Sequence, residues 1–327
     1  MKKSILFVLF SIFCVVVSAQ QESVPFKMSA KPTITIHSNF KTDIAQPNNY
    51  TGFNLERAYL GTTFVLSETL SGRVRFDIGN PNVADSDLEM VAYVKNAEIK
   101  WQQGDFTLNA GMIGTIQFAV QEKFWGYRYL LKSFQDEYKF GSSADLGVSA
   151  AYKISDILTI DATAINGEGY KKVNKDDALR YGGGVLITPA KWISLRAYYD
   201  RNDVATGAIG AAQENVGLFA GISQQYFSIG AEYMTLYNAK RVQGKHQYGY
   251  SVYSTVKLPN QFQVYGRWDY LFSSNEYNSA NDGQLGILGV QYSVNKYVQL
   301  SPNFRIWQPA EGGAAKLCGL VNLHVNF

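Results

Sequence analysis

Cysteine, proline and long apolar runs are scarce in this 327-residue chain, which has two cysteines and eight prolines. Cys14 lies in a leader-like N-terminal segment, and once that segment is removed Cys318 is the only cysteine, so no internal disulfide can form. Beyond residue 19 no window of about eighteen apolar residues occurs, and no transmembrane helix is indicated there. The 30 basic and 27 acidic residues nearly balance, which gives no argument for nucleic-acid binding.

The first twenty residues, MKKSILFVLFSIFCVVVSAQ, combine a basic start, an apolar stretch and small residues at Ser18 and Ala19. This pattern predicts a secretory signal peptide over residues 1–19. A membrane-anchor helix is the alternative, but the apolar run is short for a span. We therefore expect an exported protein whose mature chain begins after Ala19.

Aromatic residues and alternating patterns are abundant in the rest of the chain. Aromatics make up 14% of the sequence, with 22 tyrosines. In LSGRVRFDIGN, residues 70–80, apolar side chains take alternate positions, and Arg73, Arg75 and Asp77 lie on the opposite face. This period of two predicts β-strands. Sixteen such segments are predicted, at residues 32–40, 53–66, 70–79, 90–101, 106–114, 144–153, 158–167, 179–188, 192–201, 215–223, 226–237, 247–256, 262–271, 284–293, 297–307 and 316–327.

The connections between these segments alternate between short and long. Those after even-numbered segments have a few residues, whereas those after odd-numbered segments are longer, up to residues 115–143. All long loops then lie at one end of the molecule, as in outer-membrane barrels. We predict an all-β fold, a transmembrane antiparallel barrel of about 16 strands over residues 32–327, preceded by a short periplasmic segment, 20–31. A soluble two-sheet protein is the alternative, but it leaves the loop alternation unexplained.

Several stretches of the mature chain resemble the Bacteroidetes branch of the phosphate-selective porin family. The resemblance implies a water-filled, often trimeric pore for small solutes, with a basic constriction in its anion-selective members. The final strand also ends in an aromatic residue, Phe327, which resembles the assembly signal of bacterial outer-membrane proteins. The stretches that carry the family resemblance are GFNLERAYLG at Gly52, LSGRVRFDIGN at Leu70, EKFWGYRYLLKSF at Glu122, SADLGVSAAYK at Ser143 and INGEGY at Ile165.

The loop at residues 115–142 is the strongest candidate for a functional element. It is too long for a plain connection, and eight aromatic side chains predict that it packs against another surface. We expect it to fold into the lumen and narrow the pore; capping the barrel or lying in a subunit interface is the alternative. The predicted pore-lining and constriction residues are Arg73, Arg75, Lys123, Arg128, Lys132, Arg196, Arg267 and Arg305.

These patterns predict an outer-membrane porin for passive diffusion of small hydrophilic solutes, with a weak preference for anions; phosphate is the anion that the resemblance implies. The expected surroundings are outer-membrane lipid and lipopolysaccharide, with a homotrimer implied by the resemblance. We expect no enzymatic activity, cofactor or nucleic-acid partner, and no metal, since His37 and His324 lack a third ligand. A structural or adhesive closed barrel without channel activity is the first alternative, and an outer-membrane enzyme the second.

Overall fold

A computed structural model describes residues 28–44, 49–80, 90–172, 176–275 and 277–327. The predicted signal peptide, and residues 20–27 of the predicted periplasmic segment, lie outside the described residues. No helix within the described ranges has the length and apolar character needed to cross a membrane. The strands are β1 Ser29–Ile44, β2 Thr51–Val65, β3 Leu70–Gly79, β4 Val91–Gln103, β5 Phe106–Gly114, β6 Ala144–Ser155, β7 Leu158–Ile165, β8 Arg180–Ile187, β9 Ile193–Asn202, β10 Gln213–Ser223, β11 Phe227–Tyr237, β12 Gln247–Lys257, β13 Phe262–Ser273, β14 Gly283–Ser293, β15 Val298–Pro309 and β16 Lys316–Asn326.

All sixteen strands form one closed antiparallel barrel, which confirms the predicted fold class. Each strand pairs with its neighbours in the chain, and β1 closes the barrel by pairing with β16 from Thr35↔Asn326 to Ile44↔Leu317. Closure leaves no strand edge, so the backbone polar groups can be bonded internally in a lipid bilayer. A barrel of this strand number is too wide for wall side chains alone to fill.

The two faces of the barrel wall differ in polarity, as the alternating pattern predicts. Side chains that point outward are apolar and exposed, for example Leu218, Leu288 and Phe304. Side chains that point inward include fully buried polar groups such as Asp269 and Ser301. An apolar outer band is what hydrocarbon requires, and a polar inner face suits a wide aqueous lumen. The closed barrel with this surface belongs in a bacterial outer membrane.

Strand β1 is longer than the alternation predicts. It begins at Ser29 rather than at residue 32, because residues 29–31 pair with residues 63–65 of β2. At its other end it runs to Ile44 instead of residue 40, again paired with β2 and β16. The added residues are mostly polar or small. A strand end that extends beyond the hydrocarbon carries no apolar alternation, so the sequence pattern does not mark it.

A β-bulge in β4 changes which side chains reach the lumen. The register between β3 and β4 shifts between Arg75 and Phe76: Arg75 pairs with Asn96, and Phe76 pairs with Val94. Lys95 is the extra residue, and both Lys95 and Asn96 are buried on the inner side. Bulges commonly redirect side chains in this way. Counting alternate residues back from Glu98 and Lys100 therefore places Lys95 on the outer face, whereas it points inward.

The long connection between β5 and β6, residues 115–143, is here called the constriction loop. It contains two short helices, α1 Ala119–Trp125 and α2 Phe134–Glu137. Helix α1 ends at Gly126, whose φ of 71° lies in the left-handed region that glycine adopts without steric cost. The chain then reverses, and residues 127–131 run along the inner wall of the barrel.

Candidate functional site

The constriction loop lies inside the barrel, as predicted, and packs against the inner wall. Its first apolar cluster joins loop residues to inward-facing residues of β10, β12, β13 and β14. Trp125 makes an edge contact with Tyr253, with ring centroids 5.7 Å apart, and Tyr127 lies 4.4 Å from Tyr265. The buried members of this cluster are Trp125, Tyr127, Tyr129, Leu130, Phe219, Tyr253, Tyr265 and Ile287.

A second apolar cluster holds the C-terminal half of the loop. Phe134 and Phe140 are fully buried and pack with Met234, Leu236 and Leu271 of β11 and β13. These contacts continue the loop's apolar attachment along the inner wall. Burial of each large aromatic side chain contributes roughly 1.5–3 kcal/mol, so the two clusters together fix the loop firmly against one side of the lumen.

Three of the predicted constriction residues hold the loop backbone. The guanidinium groups of Arg196, Arg267 and Arg305 donate to the carbonyl oxygens of residues 116, 132 and 130, at 2.9, 2.7 and 2.8 Å. Loop carbonyls without a regular secondary-structure partner need such donors, because an unpaired buried carbonyl costs free energy. These three arginines therefore anchor the loop on the wall side.

The opposite side of the lumen retains an opening, here called the eyelet, between the constriction loop and the wall formed by β2 to β5. Its cavity has a volume of about 460 Å³. Among the described residues, one carboxylate lines it, that of Glu122. The cationic lining residues are Arg73, Arg75, Lys95, Lys123 and Arg128. Four of these five were predicted from the sequence, and the structure brings them together at one opening.

Two of the eyelet cations are neutralised by neighbouring acids. Arg73 contacts Glu98 on the adjacent strand at 2.5 Å. Arg128 lies in the constriction loop and pairs with Glu122 and, at 2.7 Å, with Asp136. These pairs hold the side chains in place and reduce the local excess of positive charge.

The other three eyelet cations, Arg75, Lys95 and Lys123, lack an acidic partner. No carboxylate among the described residues lies within ion-pair distance of any of them. Lys95 is 6% exposed, and a buried charge without a partner is costly. The eyelet therefore has a local excess of positive charge that an entering anion would reduce.

Tyr59 lies at the centre of the cationic wall. Its hydroxyl accepts hydrogen bonds from Arg57 at 3.0 Å and from Lys95 at 3.3 Å. Its ring lies 5.6 Å from the guanidinium carbon of Arg75 and 4.8 Å from Nζ of Lys95. Sequence reasoning missed both Tyr59 and Lys95. Tyr59 shares its face with Arg57, so the alternation could have found it, whereas the bulge hides Lys95.

Lys132 lies apart from both groups of predicted site residues. Its Nζ is 3.9 Å from Glu137 within the constriction loop, and the side chain is half-exposed. It does not line the eyelet cavity. The eight predicted residues thus divide into four at the eyelet, three that anchor the loop, and Lys132. Their effect on ion preference stays a prediction.

The two strand histidines meet where the barrel closes. His37 and His324 are directly opposed in register, with ring centroids 5.0 Å apart. Tyr129 of the constriction loop stacks on His324 at 4.8 Å. Within the described parts of the chain, no group of three or more His, Cys, Asp or Glu side chains could hold a metal ion.

The barrel is closed, its exterior is apolar, and its longest loop folds inward. This is the architecture of a bacterial outer-membrane porin. Among solved structures, the chain is similar to the anion-selective porin from Comamonas acidovorans (TM-score 0.68, 11% identity, covering 92% of this chain and 100% of that chain). It is also similar to Salmonella typhi OmpF in complex with daunomycin (TM-score 0.69, 11% identity, covering 91% of this chain and 97% of that chain). A third similar structure is OmpT of Vibrio cholerae (TM-score 0.65, 13% identity, covering 94% of this chain and 100% of that chain).

These similarities concern the fold, because the identities are low. No protein-family model matches the chain, and no curated protein matches its sequence. The resemblance to phosphate-selective porins therefore stays a prediction.

Proposed function

We propose that this protein is a porin through which small hydrophilic solutes diffuse passively, with a preference for anions. The observation that carries the proposal is the eyelet, where five cations and one carboxylate line a cavity of about 460 Å³. The anion preference rests mainly on Arg75, Lys95 and Lys123, which have no acidic partner among the described residues. Fold similarity to an anion-selective porin agrees with this assignment.

Simple electrostatics gives the expected size of the effect. Two unit charges about 6 Å apart attract by roughly 0.7 kcal/mol in bulk water and by roughly 3 kcal/mol at an effective dielectric constant of about 20. Three unpaired cations therefore suffice for a preference of several-fold or more. Because the Debye length is about 8 Å at physiological salt and about 3 Å at 1 M, the preference should weaken as salt rises.

Reversal potentials across planar bilayers test the proposal. In a KCl gradient at low salt, the wild-type pore should show a potential of the sign that chloride preference gives. Arg75→Gln, Lys95→Gln and Lys123→Gln together should move it toward zero or toward cation preference. The matched control is Lys153→Gln, which removes one cation from an exposed pair with Asp156 at the β6–β7 turn. The control should leave the reversal potential unchanged.

The electrical recordings also separate the alternatives. Large ohmic current steps support a pore. A correctly folded barrel that produces no steps would instead support the structural or adhesive closed barrel. Steps with cation preference in the wild type would refute anion selectivity while leaving the pore intact.

Solute identity and assembly form the finer part of the proposal. Phosphate as the preferred anion follows from the sequence resemblance, and competition between phosphate and chloride currents tests it. A homotrimer follows from the same resemblance, and one structural neighbour is in vitro folded Vibrio cholerae OmpT in a trimer form. Mass measurement of the detergent-solubilised protein tests the trimer.

A further inference from the structure

A second loop, between β7 and β8, enters the lumen beside the eyelet. After Ile165 the amides of Gly167 and Gly169 donate to Oδ2 of the buried Asp145, at 3.0 and 2.9 Å. Their φ angles of 102° and 81° favour glycine. Tyr170 N then donates to the carbonyl of Ala144 at 3.0 Å. This tight turn directs residues 170 and 171 away from β7 and toward β3 and β4.

The side chains of Tyr170 and Lys171, which follow this turn, contact residues of β3 and β4 and the residue after β3. The Tyr170 hydroxyl donates to Oδ2 of Asp77 at 2.5 Å, and Asp77 is itself buried. Lys171 Nζ donates to the carbonyl oxygen of Asn80 at 3.2 Å and lies 4.6 Å from the ring of Tyr93. The loop is therefore anchored to β3 and β4, which are three or more strands away from β7.

The far end of the same loop is tied to the outer rim. Arg241 donates to Oδ2 of Asp176 at 2.7 Å, and this hydrogen bond holds the pKa of Asp176 below its usual range. The start of the loop is thus bound to Asp145 of β6, and Asp176 near its end is bound to Arg241. Between these two attachments, Tyr170 lies over one corner of the lumen.

Tyr170 covers the most deeply buried of the unpaired eyelet cations. Lys95 Nζ lies 5.4 Å from the ring centroid of Tyr170 and 4.8 Å from that of Tyr59. Its hydrogen-bond partner is the Tyr59 hydroxyl, and no carboxylate of the described residues lies within ion-pair distance of it. Aromatic faces partly compensate a desolvated cation. The two rings thus stabilise Lys95 and leave only a small part of it exposed to the eyelet.

We propose that Tyr170 caps Lys95 and limits the exposure of this positive charge beside the eyelet. Removing the cap should give solutes access to Lys95 while the constriction loop stays in place. The consequence for ion currents rests on the proposed porin function. The accessibility of Lys95 does not, because it is a property of the folded barrel alone.

Amine labelling of the folded, detergent-solubilised full-length protein tests the cap. A water-soluble acetylating reagent is applied, and the labelling rate of each lysine is read by mass spectrometry. In Tyr170→Ala the rate at Lys95 should rise about five-fold or more, while Lys153, at the far end of the barrel, serves as internal reference. Tyr199→Ala, which removes an outward-facing exposed tyrosine, is the matched control and should leave the Lys95 rate unchanged.

Two further variants of Tyr170 test separately its ring over Lys95 and its hydroxyl bond to Asp77. Tyr170→Phe keeps the ring over Lys95 but loses the bond to Asp77, so a smaller rise is expected. If Tyr170→Ala does not give a heat-modifiable folded barrel, Tyr170→Leu replaces it, with the same expected rise. An unchanged Lys95 rate in the folded Ala or Leu variant would overturn the proposal.

Current recordings on the same variants connect the cap to permeation. Tyr170→Ala should show a reversal potential shifted further toward anion preference, because Lys95 becomes more exposed. A faster Lys95 reaction without any anion preference in the wild type would refute the proposed selectivity but keep the cap. Faster labelling with an unchanged reversal potential in an anion-preferring pore would refute an effect of the cap on ion preference.

Discussion

Arg267 offers the sharpest test of how the wall holds the constriction loop. It lies on β13, fully buried, and forms a two-point contact with Asp269 at 2.8 and 2.7 Å. Its third nitrogen donates to the carbonyl of Lys132 at 2.7 Å, and the guanidinium lies 4.9 Å from the Trp125 ring. One side chain thus joins a wall acid, a loop carbonyl and a loop aromatic. We predict that Arg267→Met loosens the loop.

The magnitude follows from what the substitution leaves behind. Removing one partner of a buried ion pair typically costs about 3–5 kcal/mol, because the other charge stays buried without compensation. Arg267→Met with Asp269→Leu removes both charges, so mainly the bond to the loop carbonyl is lost, at about 1.5–3 kcal/mol. Arg305→Met is the matched control, since Arg305 holds the carbonyl of Leu130 and has no acidic partner within ion-pair distance in the part of the chain that the structure describes. It should also cost about 1.5–3 kcal/mol.

Limited trypsin digestion of the folded barrel measures these differences. Cleavage after Arg128 or Lys132 requires the loop to open locally, and its rate follows the opening equilibrium when reclosing is fast. Since about 1.4 kcal/mol corresponds to a factor of ten, Arg267→Met should raise the cleavage rate by about 100-fold or more. The double variant and Arg305→Met should each raise it about ten-fold to 100-fold.

Equal cleavage rates for Arg267→Met and the double variant would refute the reasoning, because the unpaired Asp269 charge would then carry no cost. A rate unchanged from wild type in all three variants would show that the aromatic clusters alone hold the loop. Conductance recorded from the same preparations should show more frequent current fluctuations in Arg267→Met than in Arg305→Met.

Three further predictions follow from the barrel wall. Arg73→Gln leaves Glu98 without its partner and should shift the reversal potential toward cations, whereas Glu98→Gln should shift it the other way; shifts of the same sign would contradict the eyelet electrostatics. Leu218→Arg places a charge on the outer face at the middle of β10, and urea unfolding from vesicles should show a loss of about 2–4 kcal/mol, with Leu218→Ala as control. Deleting residues 322–327 exposes unpaired backbone of β1 and should abolish the heat-modifiable folded form; its persistence would argue against closure through β16.

The sequence alone was sufficient for the architecture. Alternation along segments such as 70–79 predicts strands with one apolar and one polar face, and the alternating loop lengths predict a closed antiparallel barrel with all long loops at one end. Both signals are local, and the bilayer makes them strict, because an outward polar residue or an open strand edge is costly in hydrocarbon. The eight aromatics of residues 115–142 likewise predicted a packed loop, since such a segment cannot stay in solvent.

Only the tertiary structure decided how the lumen divides into anchoring and open sides. Arg196 and Arg75 both follow the inward alternation, yet Arg196 binds a loop carbonyl whereas Arg75 lines the eyelet. Lys95 reaches the lumen through a bulge, and Tyr170 reaches Asp77 of β3 from the loop that follows β7. These outcomes depend on where the loops pack against the wall, which is set by contacts between residues distant in the chain and leaves no periodic trace in the sequence.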